Sequence, residues 1–204
     1  MPPILRLDLP DGHPVALRPV VPADRERLAE GFAELSETSR RLRFLGAVST
    51  LSPATLHYLT DVDHVDHVAW GVLDLDDPEA PGFGVGRFVR LGDAPTVAEF
   101  SVTVLDSAQG RGVGQTLLAL LCVLAPTLGV ETLRGIVARE NDVMATWLGR
   151  LGAPAVPDGS DLIFDVPVRP DPSRNASAAA FADVMAEVRR AARALDAWPN
   201  GRVL

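Results

Sequence analysis

The chain has 204 residues, 47% of them hydrophobic, enough for one domain with a sizeable core and some excess. Its formal charge of −8 argues against nucleic-acid binding, which needs clustered cations to neutralise phosphates. No run of about 18 uncharged apolar residues is present, the N-terminus lacks a basic-then-apolar leader, and a single cysteine, Cys122, builds neither a disulfide framework nor a thiolate metal site; a cytoplasmic protein without a membrane span is expected.

Val15 to Val20 alternates and is rich in branched residues, so it reads as a first strand, and Pro22-Ala23-Asp24 opens a helix to about Leu35. Ser36 to Arg43 reads as a second short helix. Ser52-Pro53-Ala54 starts a third, with Leu56 and Leu59 on one face. Three strand-like runs follow, His67 to Leu75, Gly84 to Leu91 and Val97 to Leu105, and the short turns between them imply an antiparallel meander. A glycine-rich stretch then leads into an apolar helix from about Val113 to Leu128, ended by Gly129. Thr132 to Ala138 is a further strand, Asn141 to Leu151 a helix and Leu162 to Val166 a last strand. Pro167 to Arg174 reads as a linker. Beyond it Phe181, Val184, Met185, Val188, Ala192, Leu195 and Trp198 recur at helical spacing. The expected division is therefore a domain over residues 1–168 and a linker with a C-terminal amphipathic helix over 169–204. That helix folds back on its own domain, crosses to a second copy as a homodimer, or covers a cleft.

The informative segment is Val102 to Thr116, a strand, a glycine turn and a helix start. Glycines let backbone N–H groups converge on an oxyanion, and the positive end of the helix points at the same place. A Walker A loop is excluded because the chain contains no lysine. A dinucleotide fingerprint starting at Gly110 places its third glycine one residue early, at Gly114, and a meander is the wrong surrounding for it. Gln109-Gly110-Arg111-Gly112-Val113-Gly114 instead resembles the Q/R-x-x-G-x-G/A signature of the GNAT N-acetyltransferases, and the element order from Val15 to Val166 is similar to that α/β (α+β) fold, a mixed central sheet with flanking helices. Ser36 to Leu45, Leu56 to Asp63 and Ala98-Glu99-Phe100 resemble the GNAT domains of bacterial protein-lysine acetyltransferases.

The resemblance implies acetyl-CoA as co-substrate and no metal. It implies that amides of Gln109, Gly110, Arg111, Gly112, Val113, Gly114 and Gln115 hold the pyrophosphate, that the backbone of Val102 and Val104 pairs with the pantetheine arm, and that Asn141 contacts that arm. Gly112 and Gly114 are where a Cβ is expected to obstruct the cofactor most, with Gly112→Glu abolishing binding. A lysine amine, with a pKa near ~10.4, must lose a proton before it attacks, and Glu99 matches the family's general base. The helix from Asn141 holds no tyrosine, the general acid of many relatives, and the sole tyrosine is Tyr58. That leaves the general acid unassigned. Asp61, Asp63, His64, Asp66 and His67 have metal-ligand types, but a metal site is not expected there; Arg40, Arg41 and Arg43 read as a solvated helix face, with lining the substrate side as the alternative. The acceptor is a protein lysine, or alternatively a small amine; a catalytically weak acyl-CoA-binding module is the reading from a different class.

Overall fold

Leu5 and Leu7 alternate with Arg6 and Asp8, which makes a strand, β1 (Leu5–Asp8), that the reading from sequence passed over; it pairs antiparallel with β2 (Pro14–Pro19). The computed structural model describes residues 3 to 193. A 3-10 turn at Pro22–Asp24 leads into α1 (Arg25–Glu34). Two serines then start helices by accepting an orphan N–H: Ser36 from Ser39 at 3.2 Å ahead of α2 (Glu37–Phe44), and Ser52 from Thr55 at 3.0 Å ahead of α3 (Pro53–Thr60). The meander follows as β3 (His67–Asp74), β4 (Gly84–Leu91) and β5 (Ala94–Val104).

The glycine turn opens α4 (Val113–Leu124), which a 3-10 turn carries on to Gly129. After it come β6 (Thr132–Ala138), α5 (Asp142–Arg150), β7 (Ala155–Asp158), β8 (Asp161–Pro167) and α6 (Ala176–Arg193). Strand β7 was also missed. All four of its residues are exposed, so it has no alternating apolar signal, and its Pro157 is the kind of residue an edge strand tolerates. The eight strands form one mixed sheet in the order β1-β2-β3-β4-β5-β6-β8-β7, in which only β5 and β6 run parallel.

That parallel pair needs a crossover, and α4 supplies it. Its sequence is apolar on every side, with Leu117, Leu118, Leu120, Leu121 and Cys122 fully buried, so it needs cover on both faces. The sheet covers one face: a Cβ at Gly86 would lie 3.2 Å from Leu117. Helix α6 covers the other, with buried Phe181, Met185 and Val188 turned inward and further contact on β1 and α5. Asn175 starts α6 by accepting the Ala178 N–H at 3.0 Å and ties it to α5 by donating to the Arg150 carbonyl at 2.8 Å. The described turns of the C-terminal helix thus pack on their own chain; Leu195 and Trp198 lie outside the described residues. Burial pushes the Cys122 thiol up to about 12, as befits an inert packing group.

Phe181 is 1% exposed and stands edge-on to Trp147, ring centroids 5.9 Å apart. Phe181→Ala is expected to lower unfolding free energy by about 3–5 kcal/mol in urea titrations. A loss below about 1 kcal/mol would mean that α6 is not part of the core.

Candidate active site

Strand β5 stays paired with β4 as far as Val104, but with β6 only from Val97–Thr132 to Phe100–Gly135. At the last shared pair the Phe100 ring lies against β6 where a Cβ on Gly135 would approach it to 2.8 Å, so glycine there admits the ring. Beyond it the two strands part. The Thr96 carbonyl accepts from Glu131 at 2.8 Å, ahead of β6, while the Leu105 N–H donates to Phe83 at 2.9 Å, ahead of β4. Main-chain groups alternate sides along a strand, so those of even-numbered residues turn towards β6. The N–H and C=O of Val102 and Val104 therefore face the gap that β6 has left.

The glycine turn closes one end of that gap. N–H groups from Gly110 to Gln115 find no acceptor among the described residues, the first bonded one being Thr116 N–H to Gly112 O at 2.9 Å. They cluster at the positive end of α4. Most of the side chains face elsewhere. Arg111 bonds Asp11 at 2.8 Å and stacks 4.7 Å from the Phe83 ring, Val113 is buried in the core, and Gln109 reaches Ser39 at 3.4 Å; Gln115 is half-buried. Only main chain is presented.

The two glycines singled out differ in what requires them. Gly112 has φ 89°, and a Cβ there would lie 2.4 Å from Pro10, so the fold itself demands glycine. Gly114 has ordinary room, with Val104 Cγ2 at 3.7 Å and Val102 Cγ1 at 4.0 Å from a built Cβ. Substitution at Gly114 probes the gap; substitution at Gly112 first breaks the turn. Asp106 anchors this loop to α2, accepting from Ser36 N–H at 2.9 Å, Ser36 Oγ at 2.9 Å and Ser39 Oγ at 2.8 Å; those bonds hold its carboxyl below the usual range.

Since Gly84 and Gly86 face α4, the alternate residues Val85, Arg87 and Val89 face α1 to α3, together with Glu99, Ser101 and Thr103 across the ladder. Glu99 is exposed on this face, one residue before the strands part, and makes no ion pair among the described residues. The arginines considered as its partners are engaged elsewhere: Arg90 bonds Asp66 at 2.7 Å and the Leu128 carbonyl at 2.6 Å, and Arg87 bonds the Leu59 carbonyl and His67 Nε2, both at 3.1 Å. Asn141 caps α5 by accepting from Met144 at 3.2 Å at the end of β6.

Of the arginines of α2 expected on a solvated face, only Arg41 is exposed. Arg40 donates to the carbonyls of Ala33 at 2.7 Å and Ser49 at 3.2 Å, Arg41 pairs with Glu140 across the mouth of the gap, and Arg43 turns inward to Thr103 Oγ1 at 2.8 Å. Sequence reasoning carried Arg43 in this wall only as the alternative to a solvated face, without separating it from Arg40 and Arg41, and missed Tyr58. Tyr58 is 54% exposed, its ring 4.9 Å from that of His67, and both Arg43 and Arg87 feel its phenol. No local spacing signals this meeting of α2, α3 and β4.

Asp63 Oδ1 is taken up by its own turn, accepting the N–H groups of Val65, Asp66 and His67 at 2.8 to 2.9 Å. Among the described residues, His13, Asp74 and Asp76 are the trio whose ligand atoms lie within 4.8 Å of one another, and there His13 Nε2 already bonds Asp74 at 2.8 Å.

The same architecture is found in solved acyltransferases. The GNAT domain of S. lividans PAT superposes with a TM-score of 0.74 at 24% identity, over 80% of this chain and 96% of that one. A cAMP-binding acyltransferase from Mycobacterium smegmatis gives 0.59 at 29% identity, over 95% of this chain and 56% of that one. The family model for the acetyltransferase (GNAT) domain matches residues 15–154. The chain belongs to the GNAT family of acyl-CoA-dependent N-acetyltransferases. It is 39% identical over 137 residues to Acetyltransferase Pat of Mycolicibacterium smegmatis, covering 67% of this chain and 40% of that protein. It is 31% identical over 144 residues to Acetyltransferase PA5475 of Pseudomonas aeruginosa, covering 71% of this chain and 77% of that one. The chain thus spans well under half the length of Pat. No helix among the described residues is long and apolar enough to cross a membrane.

Burial, and then the adjacent Arg87 charge, push His67 down to about 4, and burial also lowers His64. Between pH 6.5 and about 4 the unfolded chain binds protons at these histidines that the folded chain does not, so stability rises with pH through that window and is fully present above it. For half-exposed His67 the effect, discounted for screening, is on the order of 1–2 kcal/mol. Urea titrations at pH 5 and pH 7 should show this drop, and His67→Gln should shrink it; an unchanged difference in the variant would remove His67 as a cause.

Proposed function

We propose that the chain transfers an acetyl group from acetyl-CoA directly to the amine of a protein lysine. The observation that carries this reading is the gap itself: unpaired backbone groups of Val102 and Val104 on one wall, ending at free N–H groups on a helix N-terminus. A strand-like amide arm ending in a pyrophosphate matches both halves of that surface. The choice of a protein acceptor rests on the resemblance of Ser36 to Leu45, Leu56 to Asp63 and Ala98-Glu99-Phe100 to the GNAT domains of bacterial protein-lysine acetyltransferases.

In this mechanism amides from Gly110 to Gln115 hold the pyrophosphate, the Gln109 N–H being already given to the Asp106 carbonyl at 3.4 Å, and Val102 and Val104 pair with the pantetheine arm as an added strand. Asn141, at the far wall where β6 ends, contacts the same arm. The thioester carbonyl then sits where the strands part, and an N–H near Val102 to Val104 meets the oxyanion of the tetrahedral intermediate. Glu99, on the open face beside that point, takes the proton from the incoming ammonium directly or through a water. The nitrogen bonds to the carbonyl carbon, the carbon–sulfur bond breaks, and the second proton, which the nitrogen sheds on becoming an amide, reaches the leaving thiolate through water, since α5 offers no tyrosine. The protein has no lysine side chain of its own, so any acetyl-lysine found in an assay belongs to the acceptor.

Glu99→Gln should cut turnover at neutral pH by about 100-fold or more while leaving acetyl-CoA affinity nearly unchanged, measured by thioester consumption and calorimetry. Unchanged turnover across pH would take Glu99 out of the mechanism. Gly114→Val should weaken acetyl-CoA binding at least about tenfold without lowering the melting temperature appreciably. Full affinity in that folded variant would place the cofactor elsewhere.

A further inference from the structure

Between α1 to α3 and the sheet lies a cavity of about 90 Å³, well above what one water needs, lined by four arginines, Arg18, Arg27, Arg43 and Arg87, and a single carboxylate, Asp24. Two of the arginines are accounted for. Arg18 takes both Asp24 oxygens, at 2.7 and 2.5 Å, and Arg27 donates to the carbonyls of Pro78 and Ala80 at 2.9 and 2.8 Å. The other two are not. Arg87 is only 6% exposed and bonds through Nη1 alone, leaving Nε and Nη2 without an acceptor among the described residues. Arg43 bonds through Nε alone and stacks 4.9 Å from the Phe44 ring, leaving both terminal nitrogens.

These guanidiniums share one wall: Arg43 bonds Thr103, whose ladder partner Val85 is two residues along β4 from Arg87. Glu99, Tyr58 and His67 are the titratable neighbours, and none of them forms an ion pair with either arginine. Burial lowers both arginines, Arg87 to about 9, where the Arg43 charge adds to the effect, yet both stay protonated at neutral pH. Glu99 is close enough to raise Arg43 but forms no ion pair with it, so two adjacent guanidiniums, Arg87 buried and Arg43 half-buried, go without a bonded counter-charge among the described residues, which is unfavourable in a chain that has 27 acidic residues. Their free nitrogens point to an anion that arrives with a ligand.

We propose that Arg43 and Arg87 form a carboxylate-binding subsite on the acceptor side of the transfer point. A planar, two-oxygen group suits paired guanidinium forks. The carboxylate comes either from the acceptor, as an acidic group near its amine, or from the acyl chain of a dicarboxylic thioester. Calling this the acceptor side rests on the acetyl-transfer reading; the anion site does not.

The test is thermal unfolding of the full chain with glutarate and with neutral glutaramide, each with and without acetyl-CoA. Glutarate should raise the midpoint and glutaramide should not. Arg43→Gln should lose at least about tenfold in glutarate affinity, Arg43→Lys should recover part of it, and both should keep the acetyl-CoA shift. Arg87→Gln removes the donor to Leu59 and His67 and can unfold, so the Arg43 variants carry the test. Glutarate binding together with acetyl-CoA assigns the carboxylate to the acceptor. Mutual exclusion, with succinyl-CoA bound more tightly than acetyl-CoA, assigns it to the acyl chain, and either result upholds the subsite. Equal shifts from glutarate and glutaramide, or unaltered glutarate affinity in Arg43→Gln, overturn it. A wild-type chain with no acetyl-CoA shift would strike the acetyl-transfer reading instead and leave the glutarate comparison intact.

Discussion

The parting of two parallel strands after Phe100–Gly135 is the constraint on which the rest of this structure depends. Backbone N–H and C=O groups left unpaired in a protein are costly unless water or a ligand satisfies them. Here the break leaves Val102 and Val104 unpaired on the β6 side while β4 holds β5 rigid on the other, so the exposed edge keeps a fixed shape. The glycine turn at the end of the same strand adds a second set of unsatisfied N–H groups. Together they make a surface written almost wholly in main chain, which is why the side chains of Arg111 and Val113 are free to serve the packing.

That surface holds its geometry because α4 is fixed from both sides. Its all-round apolar sequence would be a liability on a helix covered on one face only, and α6 removes the liability by burying Phe181, Met185 and Val188 against it. Position of the helix N-terminus, and so of its unpaired amides, is thereby coupled to a segment far along the chain. The sheet face under α1 to α3 is organised differently, from side chains: Asp106 fixes the start of α2, and α2 in turn delivers Arg43 to Thr103.

Local signals were legible and long-range ones were not. The meander, the serine-capped helices and the glycine turn each follow from spacing within about a dozen residues, and they stand where the sequence places them. Strand β1 is too short to announce itself and becomes a strand by pairing with β2; β7 is an exposed edge with no apolar alternation. The meeting of Arg43 with Thr103, and of Arg87 with Leu59 and His67, joins residues 20 to 60 positions apart, and no periodicity within α2 separates Arg43 from Arg40 or Arg41. Gly112 was singled out for the right turn, but its nearest obstacle is Pro10, a contact about a hundred residues long in sequence.

In the proposed mechanism acetyl-CoA completes the interrupted sheet at Val102 and Val104 and ends on the amides of the glycine turn. Residue-resolved amide hydrogen exchange, with and without acetyl-CoA, tests it most directly. The N–H groups of Val102, Val104 and Gly110 to Gln115 should become protected together when the cofactor is added. Protection elsewhere with these amides still exchanging freely would contradict it.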